Sequence, residues 1–78
     1  MHRDIKPPNV VLRKENMLFD CVIIDLGCAI QVPHISRDNP HLKFCVGSPG
    51  YIAPEMLMRQ PYDCKADVFS AGVTLYFM

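Results

Sequence analysis

The chain has 78 residues, half of them apolar and 21% charged, which leaves room for one small domain and excludes disorder by composition. Eight Lys and Arg balance eight Asp and Glu, which argues against a basic nucleic-acid arm or a membrane-surface patch, so neither partner is expected. Met1 is followed by the polar run His2-Arg3-Asp4, and the longest mostly apolar stretch, Val68 to Met78, is too short to cross a bilayer; no secretory leader and a cytoplasmic or nuclear, intracellular protein are expected.

Residues 1–9 contain Pro7 and Pro8. These fix φ, remove two backbone donors and push Lys6 and Pro7 toward extended backbone, so a stiff extended loop is expected. Val10-Val11-Leu12 reads as a short strand and Arg13-Lys14-Glu15-Asn16 as a polar turn. Cys21-Val22-Ile23-Ile24 is β-branched and apolar and reads as a buried strand. Together they predict a hairpin ending at Asp25-Leu26-Gly27. Residues 28–50 hold Pro33, Pro40, Gly47, Pro49 and Gly50 without a sustained period, which predicts a long loop of the kind that is functional or mobile. Pro54 to Met58 predicts one helical turn with proline at its start. From about Cys64 to Met78 the chain reads as helix. Lys65 and Asp67 are its only charges, so it is apolar nearly all round and is expected to be buried. The hairpin and loop upstream cannot cover such a helix on every side, so the sequence reads as a piece of a larger domain.

The four cysteines, at 21, 28, 45 and 64, form no Cys-x-x-Cys pair, and reduced intracellular thiols are expected. Cys28, His34, His41 and Cys45 are two thiols and two imidazoles close in sequence, a set able to close a tetrahedral zinc site, although their spacing matches no finger pattern.

The first nine residues place a carboxylate (Asp4), an ammonium (Lys6) and an amide oxygen (Asn9) on one stiff loop. A hairpin sets its two ends side by side, so Asn9 and Asp25 can face one space. One anionic and one neutral oxygen ligand suit Mg²⁺, which keeps several waters and completes its shell from substrate phosphate. Asp4 can accept a proton from an attacking hydroxyl, and Lys6 can neutralise charge on a moving phosphoryl group. Each residue alone has a plainer explanation, since Asp and Asn are common in turns and Asp-Leu-Gly ends many strands. The ordered set is what is specific.

That set resembles the catalytic core of eukaryotic protein kinases: His2-Arg3-Asp4 with Asn9, then Asp25-Leu26-Gly27, then Ala53-Pro54-Glu55. Gly47 to Glu55 is similar to the segment that docks substrate, and Asp67-Val68-Phe69-Ser70-Ala71-Gly72 to the start of the buried central helix. Lys6, two residues after Asp4, is similar to the serine/threonine branch. The Pro49-Gly50-Tyr51 form and Gly72 to Tyr76 look most like the calcium/calmodulin-dependent kinase group. The resemblance covers the whole chain. It implies an α+β, protein-kinase-like fold, part of the C-terminal lobe only, with β-hairpin, long activation loop and buried helix. Residues 1–78 would be a partial kinase domain: catalytic loop 2–9, metal-binding turn 25–27, activation segment 25–55, central helix from 64. The N-terminal lobe and distal C-terminal lobe would be absent.

The resemblance also implies roles. Asp4 would orient and deprotonate the substrate hydroxyl, Lys6 would contact the γ-phosphate of ATP, and Asn9 and Asp25 would hold Mg²⁺. Ser48 would fix the catalytic loop through Asp4 and Lys6. Glu55 would anchor the activation segment on a downstream arginine, and Asp67 would accept backbone N–H groups from His2 and Arg3. The acceptor would be a protein Ser or Thr. Four departures stand out: Leu26 for Phe, Ser48 for Thr, Phe69 for Trp and Pro8 for Glu. None removes a group that handles phosphate or metal. The only glycines are 27, 47, 50 and 72, so the 78 residues hold no glycine-rich phosphate loop, and little or no activity is expected of them alone. A non-catalytic remnant or interaction fragment, or the zinc module, are the other classes the sequence admits. Arg3 precedes Asp4, an arrangement that implies a grip on an activation-segment phosphate. The usual phosphorylated position falls at Phe44, which has no hydroxyl, and the only hydroxyl between Gly27 and Gly47 is Ser36. Phe44 is expected to pack against apolar surface instead, and phosphorylation at the usual place is expected to be dispensable.

Overall fold

The computed structural model describes residues 1–17, 19–31 and 44–77. Its elements are a 3-10 turn at Pro7–Asn9, strands β1 (Val10–Leu12) and β2 (Cys21–Ile23), and helices α1 (Pro54–Leu57) and α2 (Lys65–Phe77). His34, Ser36, His41 and Met78 lie outside the described residues, as do Pro33 and Pro40.

Lys6 is extended, with φ −160° and ψ 163°, but Pro7 is not extended as expected; it opens the 3-10 turn. The turn succeeds because both prolines sit where a short helix has no use for their missing donors. Its own bonds come from the next residues: Asn9 N–H donates to the Lys6 carbonyl at 2.9 Å and Val10 N–H to that of Pro7.

β1 and β2 pair antiparallel, with Val10 opposite Ile23, Val11 opposite Val22 and Leu12 opposite Cys21. The connection is closed by Arg13 N–H on the Asp20 carbonyl at 2.9 Å, with Asn16 in left-handed backbone at φ 63°. β2 was expected to be buried. Cys21, Ile23 and Ile24 are exposed instead, because within the described residues a two-stranded sheet has no second layer over that face.

α2 begins where Asp63 accepts the Lys65 N–H at 2.9 Å through its side chain, satisfying a donor the helix cannot pair internally. As expected of the upstream residues, the hairpin and loop do not cover this helix on every side. Ala66, Ser70 and Thr74, spaced four apart, form its one buried stripe, while Val68 and Leu75 are each 70% exposed and Tyr76 is 84% exposed. The buried stripe consists of small and hydroxyl-bearing residues, which permits close approach. Ser70 Oγ donates to the Tyr51 carbonyl at 2.6 Å and Thr74 Oγ1 to the Ser70 carbonyl at 2.8 Å. An apolar groove lined by Ile5, Val10, Cys21, Ile23, Ala71, Thr74 and Leu75 separates the hairpin from α2.

The apolar core is Ala53, Met56, Tyr62 and Ala66, with Met1, Val46 and Ile52 packed on it. It lies where α1, the start of α2 and the N-terminal loop converge, so it supports that loop from below.

Candidate active site

The loop at residues 2–9 is held by a carboxylate from α2. Asp67 Oδ2 accepts the His2 N–H at 2.6 Å and Oδ1 accepts the Arg3 N–H at 2.8 Å. Arg3 has left-handed backbone, φ 70°, a conformation that costs on the order of 1–3 kcal/mol and persists because neighbours hold it. The expected role of Asp67 is thus what the structure shows.

The His2 ring adds a second tie. Nδ1 takes the Asp4 N–H at 3.1 Å, and Nε2 lies 2.9 Å from the Ile24 carbonyl. A carbonyl only accepts and an N–H only donates, so the ring is the neutral Nε2–H tautomer in this geometry. It joins the loop to the end of the hairpin.

Asp4, Lys6 and Ser48 form one polar cluster. Lys6 Nζ donates to Ser48 Oγ at 2.7 Å, and that hydroxyl donates to Asp4 Oδ1 at 2.9 Å. Lys6 Nζ also lies 3.7 Å from Asp4 Oδ2. Asn9, buried beneath, donates through Nδ2 to the Asp4 carbonyl at 2.8 Å, with Asp4 Oδ2 at 3.4 Å. Its amide oxygen is left as an acceptor.

Ser48 reaches the loop because Gly47 lets the chain pass close by. Gly47 has φ +115°, and a Cβ there would stand 2.7 Å from the Arg3 carbonyl oxygen. Both the backbone angle and the contact exclude a side chain.

Asp25 approaches from the hairpin. Ile24 N–H donates to the Asn9 carbonyl at 2.9 Å, which brings the residue beside Asp25 against Asn9. Asp25 is exposed and left-handed, φ 66°, and its Oδ1 accepts the Gly27 N–H at 3.1 Å, leaving Oδ2 open. The turn therefore presents a carboxylate oxygen to solvent next to the Asn9 end of the loop. Glu55 stands in the first turn of α1 and makes no ion pair among the described residues.

The protein kinase domain model matches residues 1–78, the whole chain. The chain belongs to the protein kinase family. It is 39% identical over 74 residues to dual specificity testis-specific protein kinase 2 of Homo sapiens, covering 95% of this chain and 13% of that protein. It is 36% identical over 78 residues to serine/threonine-protein kinase 17A of Oryctolagus cuniculus, covering 100% of this chain and 19% of the relative. It is 42% identical over 78 residues to CBL-interacting protein kinase 4 of Oryza sativa subsp. japonica, covering 99% and 16%. The chain thus spans less than a fifth of the length of these relatives.

For this kinase segment, one expectation changes. Phe44 does not pack away; it is 58% exposed. Among the described residues no three His, Cys, Asp or Glu gather as a metal-holding group, and the two histidines of the zinc set lie outside those residues. The structure also adds a residue that sequence reasoning passed over. Tyr62 is 5% exposed, and its hydroxyl joins Arg3 to Phe44. The signal was a lone tyrosine between Pro61 and Asp63, indistinguishable in one sequence from a loop aromatic. No helix among the described residues is long and apolar enough to cross a membrane.

Proposed function

We propose that this chain supplies the lower half of a protein serine/threonine kinase active site, from catalytic loop (2–9) through activation segment (25–55) to central helix, and that the complete domain acts inside the cell. The reaction is transfer of the ATP γ-phosphoryl group to a protein Ser or Thr hydroxyl. The observation that carries this reading is the Ser48 hydroxyl, which donates to Asp4 while accepting from Lys6.

Those two bonds fix the Asp4 carboxylate and turn Oδ2 toward an incoming hydroxyl. The contacts of Oδ2, at 3.4 and 3.7 Å, are too long to saturate it. As the substrate oxygen bonds to the γ-phosphorus, the bond from that phosphorus to the β–γ bridging oxygen breaks, ADP leaves with the oxygen, and Oδ2 takes the hydroxyl proton. Lys6 compensates charge on the transferring group. The Asp25 carboxylate and Asn9 amide oxygen are hard donors, the type Mg²⁺ prefers, and they would hold it. Bound there, the ion would neutralise charge on the phosphates. Lys6, two residues after Asp4, resembles the serine/threonine branch, which supports Ser and Thr as the acceptors. By themselves the 78 residues lack a glycine-rich phosphate loop and are expected to turn over little or no ATP.

The test uses a complete kinase domain in which residues 1–78 replace the matching segment of one of the relatives. Asp4→Ala should cut kcat by about 10²–10⁴-fold with little change in ATP KM. Asp25→Ala should raise the Mg²⁺ concentration needed for half-maximal rate. Wild-type rates in both variants would refute these roles.

A further inference from the structure

The Arg3 side chain turns away from Asp4. Its Nε donates to the Cys28 carbonyl at 2.7 Å and its Nη1 to the Tyr62 hydroxyl at 3.1 Å. That hydroxyl donates in turn to the Phe44 carbonyl at 2.8 Å. Cys28 directly follows the Asp25-Leu26-Gly27 turn, and Phe44 lies just before Gly47. The two carbonyls therefore lie sixteen residues apart in the activation segment, and both are tied to one arginine of the catalytic loop, the second through a phenol.

Tyrosine suits this place through both its hydroxyl and its ring. A hydroxyl accepts and donates at once, so it relays where phenylalanine could not. Serine would lack the ring that packs with Ala53, Met56 and Ala66. The ring is buried, which fixes the hydroxyl between its partners. The same loop end leads through Gly47 to Ser48, whose hydroxyl orders Asp4 and Lys6. Slack at Phe44 is thus carried to the reacting carboxylate.

We propose that Tyr62 is a positioning residue for phosphoryl transfer: it closes a clamp from Arg3 onto Phe44, so that Arg3 holds the activation segment against the catalytic loop at two points, Cys28 and Phe44. The inference rests on the kinase reading above and concerns a residue that handles neither phosphate nor metal.

The experiment is a double-mutant cycle in the complete domain carrying residues 1–78, with Tyr62→Phe, Arg3→Met and both together. Tyr62→Phe keeps the ring and should lower kcat about tenfold, one hydrogen bond to a charged group, with ATP KM unchanged. The double variant should be no slower than Arg3→Met, because Arg3→Met already breaks the Arg3–Tyr62 bond that Tyr62→Phe removes. Hydrogen exchange gives a readout free of catalysis: amides of 28–31 and 44–47 should exchange faster together in Arg3→Met, and those of 44–47 faster in Tyr62→Phe. Losses that multiply in the double variant, or wild-type kcat and exchange in Tyr62→Phe, would overturn the clamp. Should Tyr62→Phe fail to fold, Arg3→Met decides by exchange: acceleration at both segments supports the relay, and acceleration confined to 28–31 refutes it. A domain without kinase activity would sink the kinase reading alone, since exchange still reports the clamp.

Discussion

Replacing Asp67 by Asn separates charge from shape at the anchor of the catalytic loop. The carboxylate takes two backbone N–H groups, at 2.6 and 2.8 Å, one on each oxygen. Hydrogen bonds to a charged group contribute about 1.5–3 kcal/mol each. In Asp67→Asn the amide oxygen keeps one partner as a neutral bond, and the amide nitrogen sets a donor against the other N–H. The loss is therefore one charge-assisted bond and part of a second. Asp67 is half-buried, so water softens the loss, and about 2 kcal/mol is the expected destabilisation. Against a typical domain stability of about 5–15 kcal/mol that is readily measured. Urea unfolding of the complete domain carrying residues 1–78 should show a lower midpoint with unchanged slope. Turnover should fall as well, because Arg3 loses the bond that holds its left-handed backbone beside Asp4. A change below about 0.5 kcal/mol, the scatter of ordinary surface substitutions, together with wild-type kcat would refute the reasoning.

Gly47→Ala should destabilise the same domain by about 1–3 kcal/mol in urea melts, since a Cβ meets the Arg3 carbonyl and the φ is unsuited to side chains. An unchanged midpoint would mean the segment passes the loop differently. Ser48→Thr keeps the hydroxyl and should retain most turnover, whereas Ser48→Ala should lower kcat about tenfold by removing the oxygen that Asp4 and Lys6 share. Equal rates for alanine and serine in steady-state kinetics would remove Ser48 from the mechanism.

The hairpin, α1 and the start of α2 were legible because each rests on local chemistry: β-branched runs, a proline at a helix start, a long apolar stretch with few charges. The contacts of Asp67 with His2 and Arg3, and of Ser48 with Asp4 and Lys6, were legible only through the ordered motifs, since no local pattern links residues so far apart. Three features were misread for physical reasons. Proline statistics favour extended backbone at Pro7, but two bonds from Asn9 and Val10 outweigh that bias. Apolar composition predicted burial for β2, whereas burial depends on what lies opposite, and within the described residues no second layer covers Cys21, Ile23 and Ile24. Phe44 was judged by its side chain, yet its carbonyl is the part that is held. Backbone acceptors carry no residue-type signal.

The polar bonds and the apolar core divide the work here. Four buried side chains make up the core cluster, and large apolar residues along α2 remain exposed. Apolar burial of that size cannot by itself order a loop against a carboxylate, because it is non-directional. Direction comes from donors and acceptors joined across long stretches of chain: Asp67 to His2 and Arg3, Ser48 to Asp4 and Lys6, Arg3 to Cys28 and Tyr62. Each closes a different segment onto residues 2–6, so the loop is cross-braced from the helix, from the Gly47 segment and from the end of the hairpin. Loosening one brace shifts the groups at residues 2–6 while the core and the other segments keep the fold. Single substitutions at Tyr62 or Ser48 should therefore lower turnover well before they unfold the domain, while Asp67, which holds two N–H groups and the strained Arg3 backbone at once, should affect both.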